Sequence, residues 1–384
     1  MINHSSDLVR LLILSLGILM TRTVHAAVMT APNQPIELQE LKAPELTPGA
    51  AMLRTLYSEV CGTDVHLHHG RLSGVPYPII PGHVSVGHLE AINGVIHDID
   101  GEPFREGDLV TFLDVHETCG NCYQCLVTRQ TTRCPHRRVY GITYGVKDGP
   151  LGGWADGILM KPGVKLLRVP PSVDPARYIA GGCGLVTSVH AVERAGVRLG
   201  SSVAVLGVGP VGQASIALSA LAGAYPVIAI GGPQSRLDFA LRMGATHAIS
   251  LDVPPAERAA QVRALTHGHG VDAVIEVAGV PDAVVQSLEL VRDGGVVAVA
   301  GQYTDHGPVA INPHSAINRK HVEIRGCWGS DYSHFHRALG LLAHQGAALP
   351  WIEAVSARYP LAEAGAALAA VASRDVLKAL IVPN

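Results

Sequence analysis

Val203-Ala204-Val205-Leu206-Gly207-Val208-Gly209-Pro210-Val211-Gly212 is the stretch on which the fold turns. Four apolar residues make a short strand buried on both faces. The glycines then allow a tight turn and close approach of a ligand, and a helix is predicted over Val211–Leu221. A helix N-terminus offers free N–H groups and a favourable dipole, so Gly207, Gly209, Pro210, Val211 and Gly212 are candidate contacts for the pyrophosphate of a dinucleotide. The segment Gly231-Gly232 at the end of the next strand adds candidate nucleotide contacts. A carboxylate for the adenosine ribose belongs at that strand end. Gly231-Gly232-Pro233 stands there instead, and Arg236 is the nearest cation. The choice between NAD and NADP stays open, with NADP tolerated.

Further out, Val227–Ile230, Ala273–Val277 and Val296–Ala300 read as apolar strands, with helices around Ser235–Met243, Ala256–Thr266 and Pro281–Val291. This alternation implies a parallel sheet covered on both sides. Upstream the texture differs. Met52–Ser58, Val84–Ile92, Leu109–Leu113 and Val164–Val169 are short strands broken by Gly and Pro, the mark of an irregular β domain. Asp174-Pro175 opens a helix with an N-cap and a first-turn proline. From Gly326 the chain is mixed, with helical Ser333–Ala343 and Ala362–Ala372.

At 384 residues, two domains are expected. Hydrophobic residues at 48% and charged residues at 16% exclude a disordered chain or a coiled coil. A net charge of -3 leaves no basic excess for nucleic acid. The 20 histidines and 7 cysteines point to metal chemistry. Cys119, Cys122, Cys125 and Cys134 crowd one short lobe, which suits a closed tetrahedral zinc site of the structural kind. Cys61, His83 and Cys183 are dispersed, and spacing alone does not assemble them.

Leu11 to Met20 is an apolar run after Arg10, and Val24-His25-Ala26 resembles a cleavage site, the outline of a signal peptide. The run is too short for a bilayer, which needs about 20 residues. The competing reading, an extension upstream of a working start at Met20, is preferred. A cut after Ala26 would enter the first strand, and a thiolate–metal, nucleotide-using protein belongs in a reducing cytoplasm.

In order along the chain, Cys61-Gly62-Thr63-Asp64-Val65-His66, Pro81-Gly82-His83, the four-cysteine lobe, Cys183 with Thr187, and the glycine loop resemble the zinc-dependent alcohol dehydrogenases of the medium-chain dehydrogenase/reductase superfamily. The resemblance implies a GroES-like catalytic domain over 24–185 after an extension at 1–23, a Rossmann doubly wound NAD(P)-binding domain over 186–325, and a return to the catalytic domain over 326–384. It implies zinc at two sites: Cys61, His83 and Cys183 for catalysis, and the lobe for structure. Thr63 matches the hydroxyl that contacts the substrate oxygen, and His66 the far end of a proton relay. Asp64 matches the carboxylate expected to orient His83. The substrate would be a small alcohol or carbonyl compound, a secondary alcohol or polyol, and the assembly a homodimer or homotetramer, with no nucleic-acid or membrane partner. Two rival readings are a zinc-free reductase of activated double bonds and a non-catalytic relative.

Three departures stand out. The family motif usually continues Gly-His-Glu, and here Val84 follows His83. The last lobe spacing is 9 where 8 is commoner. The glycine pair at 231–232 replaces the ribose carboxylate. The polar segments His66–Arg71 and Asp114–Glu117 lie beside pocket-lining segments of the resembled family. They suit a hydroxylated or anionic substrate, or are solvated loops.

Overall fold

The computed structural model describes residues 23–345 and 348–383. The start-site and signal-peptide readings on residues 1–22 lie outside the described residues.

The glycine-loop strand stands at the centre of a six-stranded sheet. Its neighbours run His247–Ser250, Val227–Gly231, Val203–Leu206, Val271–Glu276, Val291–Val299 and Glu323–Gly326. Every pairing is parallel. Numbered along the chain this is order 3-2-1-4-5-6, the doubly wound Rossmann order. The crossover helices Pro210–Leu221, Pro255–Leu265 and Pro281–Leu290 each begin on a proline, whose missing N–H costs nothing at a helix start. Two strands here escape a search for apolar runs. His247–Ser250 and Glu323–Gly326 are the edge strands, half wetted and correspondingly polar. The strand Val291–Val299 begins five residues before the apolar run that announces it. A register shift after Val271↔Val291 takes up Asp293-Gly294-Gly295, which reads as a turn in the sequence.

The β-rich part is a second sheet. Its order is Val355–Pro360, Lys378–Val382, Ala51–Val60, Ser85–Ile92, Leu109–Phe112 and Leu166–Arg168, with Gly157–Met160 also on Ala51–Val60. The chain therefore returns from the Rossmann sheet to lay its last strand antiparallel to Ala51–Val60, pairing Ala379 with Val60 and Ile381 with Ser58. A hairpin of Thr23–Met29 and Ile36–Lys42 precedes it.

One helix joins the two halves. Pro175–Ala195 starts at Asp174, whose carboxylate accepts the Ala176 N–H at 2.8 Å, and ends at left-handed Gly196. It is broken at Gly182 (φ +49), a conformation that L side chains rarely adopt. The break presents Cys183 to the β-rich sheet.

Candidate active site and metal centres

Cys61 sits where strand Ala51–Val60 gives way to helix Gly62–His68. It is the helix N-cap, and the Asp64 carboxylate accepts its backbone N–H at 2.9 Å. The other Asp64 oxygen accepts the Gly82 N–H at 3.4 Å. Asp64 thus fixes the backbone under two ligand candidates. The two hydrogen bonds it accepts both come from main chain, and none comes from the His83 ring that the resemblance has it orient. Among the described residues His83 Nδ1 has no partner.

His83 Nε2 lies 4.0 Å from Cys61 Sγ. Cys61, His83, Cys183 and Glu59 each aim one donor atom into a cluster in which all four lie within 4.8 Å of one another. The electrostatics favour a cation there. The Cys183 thiol, donating to Cys61, outweighs burial and holds Cys61 well below the usual thiol range, with His83 adding to the effect. Burial works against charge on His83, yet the Cys61 sulfur and the Asp64 and Asp114 carboxylates lift it well above its usual value. Sulfur, nitrogen and oxygen donors converging in one cluster match the ligand chemistry of zinc.

The lobe offers a second set. Cys119, Cys122, Cys125 and Cys134 present four Sγ atoms within 4.8 Å of one another. Cys122–Cys125 is 3.5 Å, Cys134–Cys119 is 3.6 Å and Cys122–Cys134 is 4.0 Å. Tetrahedral Zn–S bonds of about 2.3 Å require sulfurs roughly 3.8 Å apart. The nine-residue step is spanned by left-handed Arg129 and the short turn Thr131–Arg133.

A cavity of about 580 Å³ opens over Cys61, His83 and Cys183. Thr63 and His66 project into it, as do Thr187 and Val211 from the nucleotide side. Thr63 and His66 are three apart on one helix, hence on one face. Burial first, then Arg71 and His306, hold the His66 imidazole below its usual value. Its Nδ1 is buried and without a partner among the described residues.

Of the polar segments expected at the pocket, His66, His69, Arg71 and Asp114 line it. His68 turns to Gln34 O, and His116 is satisfied by the Tyr144 hydroxyl and Pro162 O. Sequence reasoning missed Glu59, Arg137, Tyr303, His306 and Trp328. Tyr303 and Trp328 stack at 5.6 Å, and Arg137 lies 4.6 Å over the Trp328 ring. Burial pushes the Tyr303 phenol up to about 12, with Thr63 beside it. A signal for two of them exists: Tyr303 and Trp328 follow the C-terminal ends of sheet strands, where ligands bind in open α/β sheets.

The nucleotide loop passes a space test. A Cβ at Gly212 would stand 1.9 Å from Gly207 O, so helix and turn pack too closely for any side chain. At Gly209, the helix N-cap, a Cβ would meet nothing, which leaves room for a ligand. Gly231 lies under Val208, where a Cβ would come within 2.3 Å of a methyl, whereas Gly232 is open. Arg236 is not a free cation. Its Nη2 donates to the Arg374 and Val376 carbonyls at 3.0 Å each. Arg374, at φ +67, lines the cavity instead.

Residues 47–171 match the alcohol dehydrogenase GroES-like domain, and residues 210–344 the zinc-binding dehydrogenase domain. A 5-exo-hydroxycamphor dehydrogenase from Pseudomonas putida is 32% identical over 93% of this chain and 98% of its own. An alcohol dehydrogenase from Thermotoga maritima superposes with a TM-score of 0.90 at 31% identity, covering 94% of this chain and 100% of that one. A zinc-binding dehydrogenase from Sinorhizobium meliloti, bound to NADP, gives 0.83 at 27% identity over 94% and 100%. Relatives that are dehydrogenases do not favour the double-bond reductase or the non-catalytic reading. No helix among the described residues is long and apolar enough to cross a membrane. With fold, donor clusters and relatives in agreement, the chain belongs to the zinc-dependent alcohol dehydrogenases of the medium-chain dehydrogenase/reductase superfamily and is an oxidoreductase that transfers hydride between an alcohol and NAD(P).

Proposed function

We propose that the substrate is a secondary alcohol carrying further polar groups, oxidised to the ketone in the cavity above Cys61, His83 and Cys183. The observation that carries this reading is one cavity onto which the donors Cys61, His83 and Cys183, Thr63 with His66, and Val211 of the nucleotide loop all open. Cys61, His83 and Cys183 hold one zinc ion, and the lobe cysteines hold a second. Bound zinc would supply Lewis acidity at the substrate oxygen, and the nicotinamide would supply hydride exchange. The Thr63 hydroxyl accepts the alcohol proton at the near end of the relay, and His66, on the same helix face, stands at its far end, from which the proton leaves to solvent. Val84, Ile142 and Phe335 give the pocket an apolar wall that excludes water. Asp114 and Arg137, which also line the pocket, favour a substrate with a hydroxyl or carboxylate beyond the carbinol. In a panel of secondary alcohols, polyols and hydroxy acids with both cofactors, the hydroxylated or anionic members are expected to give the highest kcat/KM. Highest turnover on a plain primary alkyl alcohol would contradict the substrate reading. The working form is a homodimer or homotetramer, which light scattering on the purified protein would test.

The pH profile follows from His66. Its pKa lies below the ordinary histidine value, so the neutral, proton-accepting form persists to lower pH than usual. The oxidation rate should therefore rise through that lowered pKa and stay level above it. His66→Gln should remove this limb and slow oxidation by about 10²-fold, the scale of one positioned base. An unchanged profile in His66→Gln would remove His66 from the relay.

Cofactor choice follows from the open glycine. With no carboxylate at the strand end and Arg236 engaged elsewhere, the parent should use both cofactors with weak discrimination. A carboxylate at 232 meets open space, unlike one at 231. Gly232→Asp should shift preference toward NAD by about 1–3 kcal/mol, the scale of a hydrogen bond to a charged group. Comparing kcat/KM for the two cofactors checks this. A parent already strict for NAD would mean that another residue reads the ribose.

A further inference from the structure

The carboxylate nearest the metal-ligand cluster has no part in the mechanism above. Glu59 belongs to strand Ala51–Val60 and stands two residues before Cys61, so strand alternation puts both side chains on one side of the chain. It is fully buried. Oε2 accepts from Lys378 Nζ at 2.7 Å, and Oε1 accepts from the Cys183 N–H at 2.9 Å. Lys378, itself 1% exposed, also donates to the Ile179 and Gly181 carbonyls at 3.2 Å each. A carboxylate has about four lone-pair sites, so these two bonds leave acceptor capacity over. One carboxylate oxygen lies within 4.8 Å of each of the Cys61, His83 and Cys183 donor atoms. The carboxylate reaches the cluster from the dry side, whereas the other three residues border the cavity. The chain is built around this placement. A Cβ at Gly182 would fall 1.8 Å from Glu59 Oε2, so the break that presents Cys183 also makes room for Glu59. Position 84, beside His83, carries a buried valine with no donor atom.

We propose that Glu59 is a fourth, interior ligand to the metal held by Cys61, His83 and Cys183, closing the site while no substrate oxygen occupies its cavity side. Charge balance supports it. Two thiolates and one carboxylate offset a divalent cation and the Lys378 ammonium, so the four ligands, the ion and the lysine carry no net formal charge, with Asp64 and Asp114 outside that sum. When a substrate oxygen enters, Glu59 is displaced onto Lys378, its existing partner, so no bare carboxylate is left in the interior. The inference rests on the assignment of the catalytic zinc made above.

The test is zinc release from the full chain, loaded with zinc, into a chromogenic chelator. The parent should release the cavity ion and the lobe ion in two resolved phases. Glu59→Gln should speed the cavity phase by at least about tenfold and leave the lobe phase unchanged. Lys378→Met should destabilise the fold but keep cavity release as slow as in the parent, because the carboxylate remains. The double variant Glu59→Gln/Lys378→Met removes both buried charges and carries the test if Glu59→Gln does not fold; it should release zinc as fast as expected of Glu59→Gln. Parent-like release from Glu59→Gln or the double variant would overturn the proposal. So would equal acceleration by Glu59→Gln and Lys378→Met, since Glu59 would then act only through the ion pair. A parent that holds lobe zinc alone would instead overturn the site assignment, and this inference with it.

Discussion

Cys61→Ser is expected to abolish alcohol oxidation and to lower the zinc content from two ions per chain to one, since the two donor sets share no residue. Cys61 is the helix cap and the hub of the buried cluster, in contact with both His83 and Cys183. A serine hydroxyl is a poor ligand for zinc beside a thiolate. Lewis-acid stabilisation is worth several kcal/mol, so kcat/KM should fall by at least about 10³-fold. Thermal unfolding should move little by comparison, because the lobe keeps its ion. Zinc analysis with steady-state kinetics checks both halves. Retained turnover would remove Cys61 from the site.

Cys122→Ser is expected to act in the opposite manner, on folding first. The lobe consists of one short helix, Tyr123–Leu126, and one 3-10 turn, Thr131–Arg133, with exposed Tyr123, Leu126 and Val127. So small a segment has little apolar core of its own, and a bound ion would supply folding free energy directly. Losing it should cost several kcal/mol, a large share of a total of about 5–15. Soluble yield and Tm should fall sharply. The pocket should also suffer, because Arg133 of the lobe lies 4.2 Å over Trp328, which lines the cavity. KM should therefore rise in whatever folded protein remains. An unchanged Tm would mean that the lobe stands without its metal.

The parts of this protein that can be read directly from its sequence are those with a local signature. Gly207–Gly212 is one, because turn, cap and ligand space all follow from adjacent glycines. The lobe is another, because a short loop forces its cysteines together. The central strands are legible because they are buried on both faces. Edge strands such as Glu323–Gly326 are not, because solvent on one side allows charge. Ile36–Lys42 is hidden for the same reason: its alternation is mostly polar and half exposed. Cys61, His83 and Cys183 come together only through the break at Gly182 and the return of the chain, which no spacing encodes; the family resemblance names them. Asp64 shows the limit of that resemblance. The residue is in place, but its oxygens cap the backbone of Cys61 and Gly82. Glu59 had a usable local signal, two residues from Cys61 on an extended strand. Its partner Lys378, 319 positions away in sequence, had none.

The central claim is that alcohol oxidation depends on an ion held by Cys61, His83 and Cys183. The direct measurement strips the protein with a mild chelator until only the lobe ion remains, then returns zinc stepwise. After each step a secondary alcohol and NADP are added and reduced nicotinamide is followed. Turnover should be absent at one ion per chain, grow in proportion to the second and level off when it is complete. Full turnover at one ion per chain, or none with both sites filled and the whole alcohol panel tried, would contradict it.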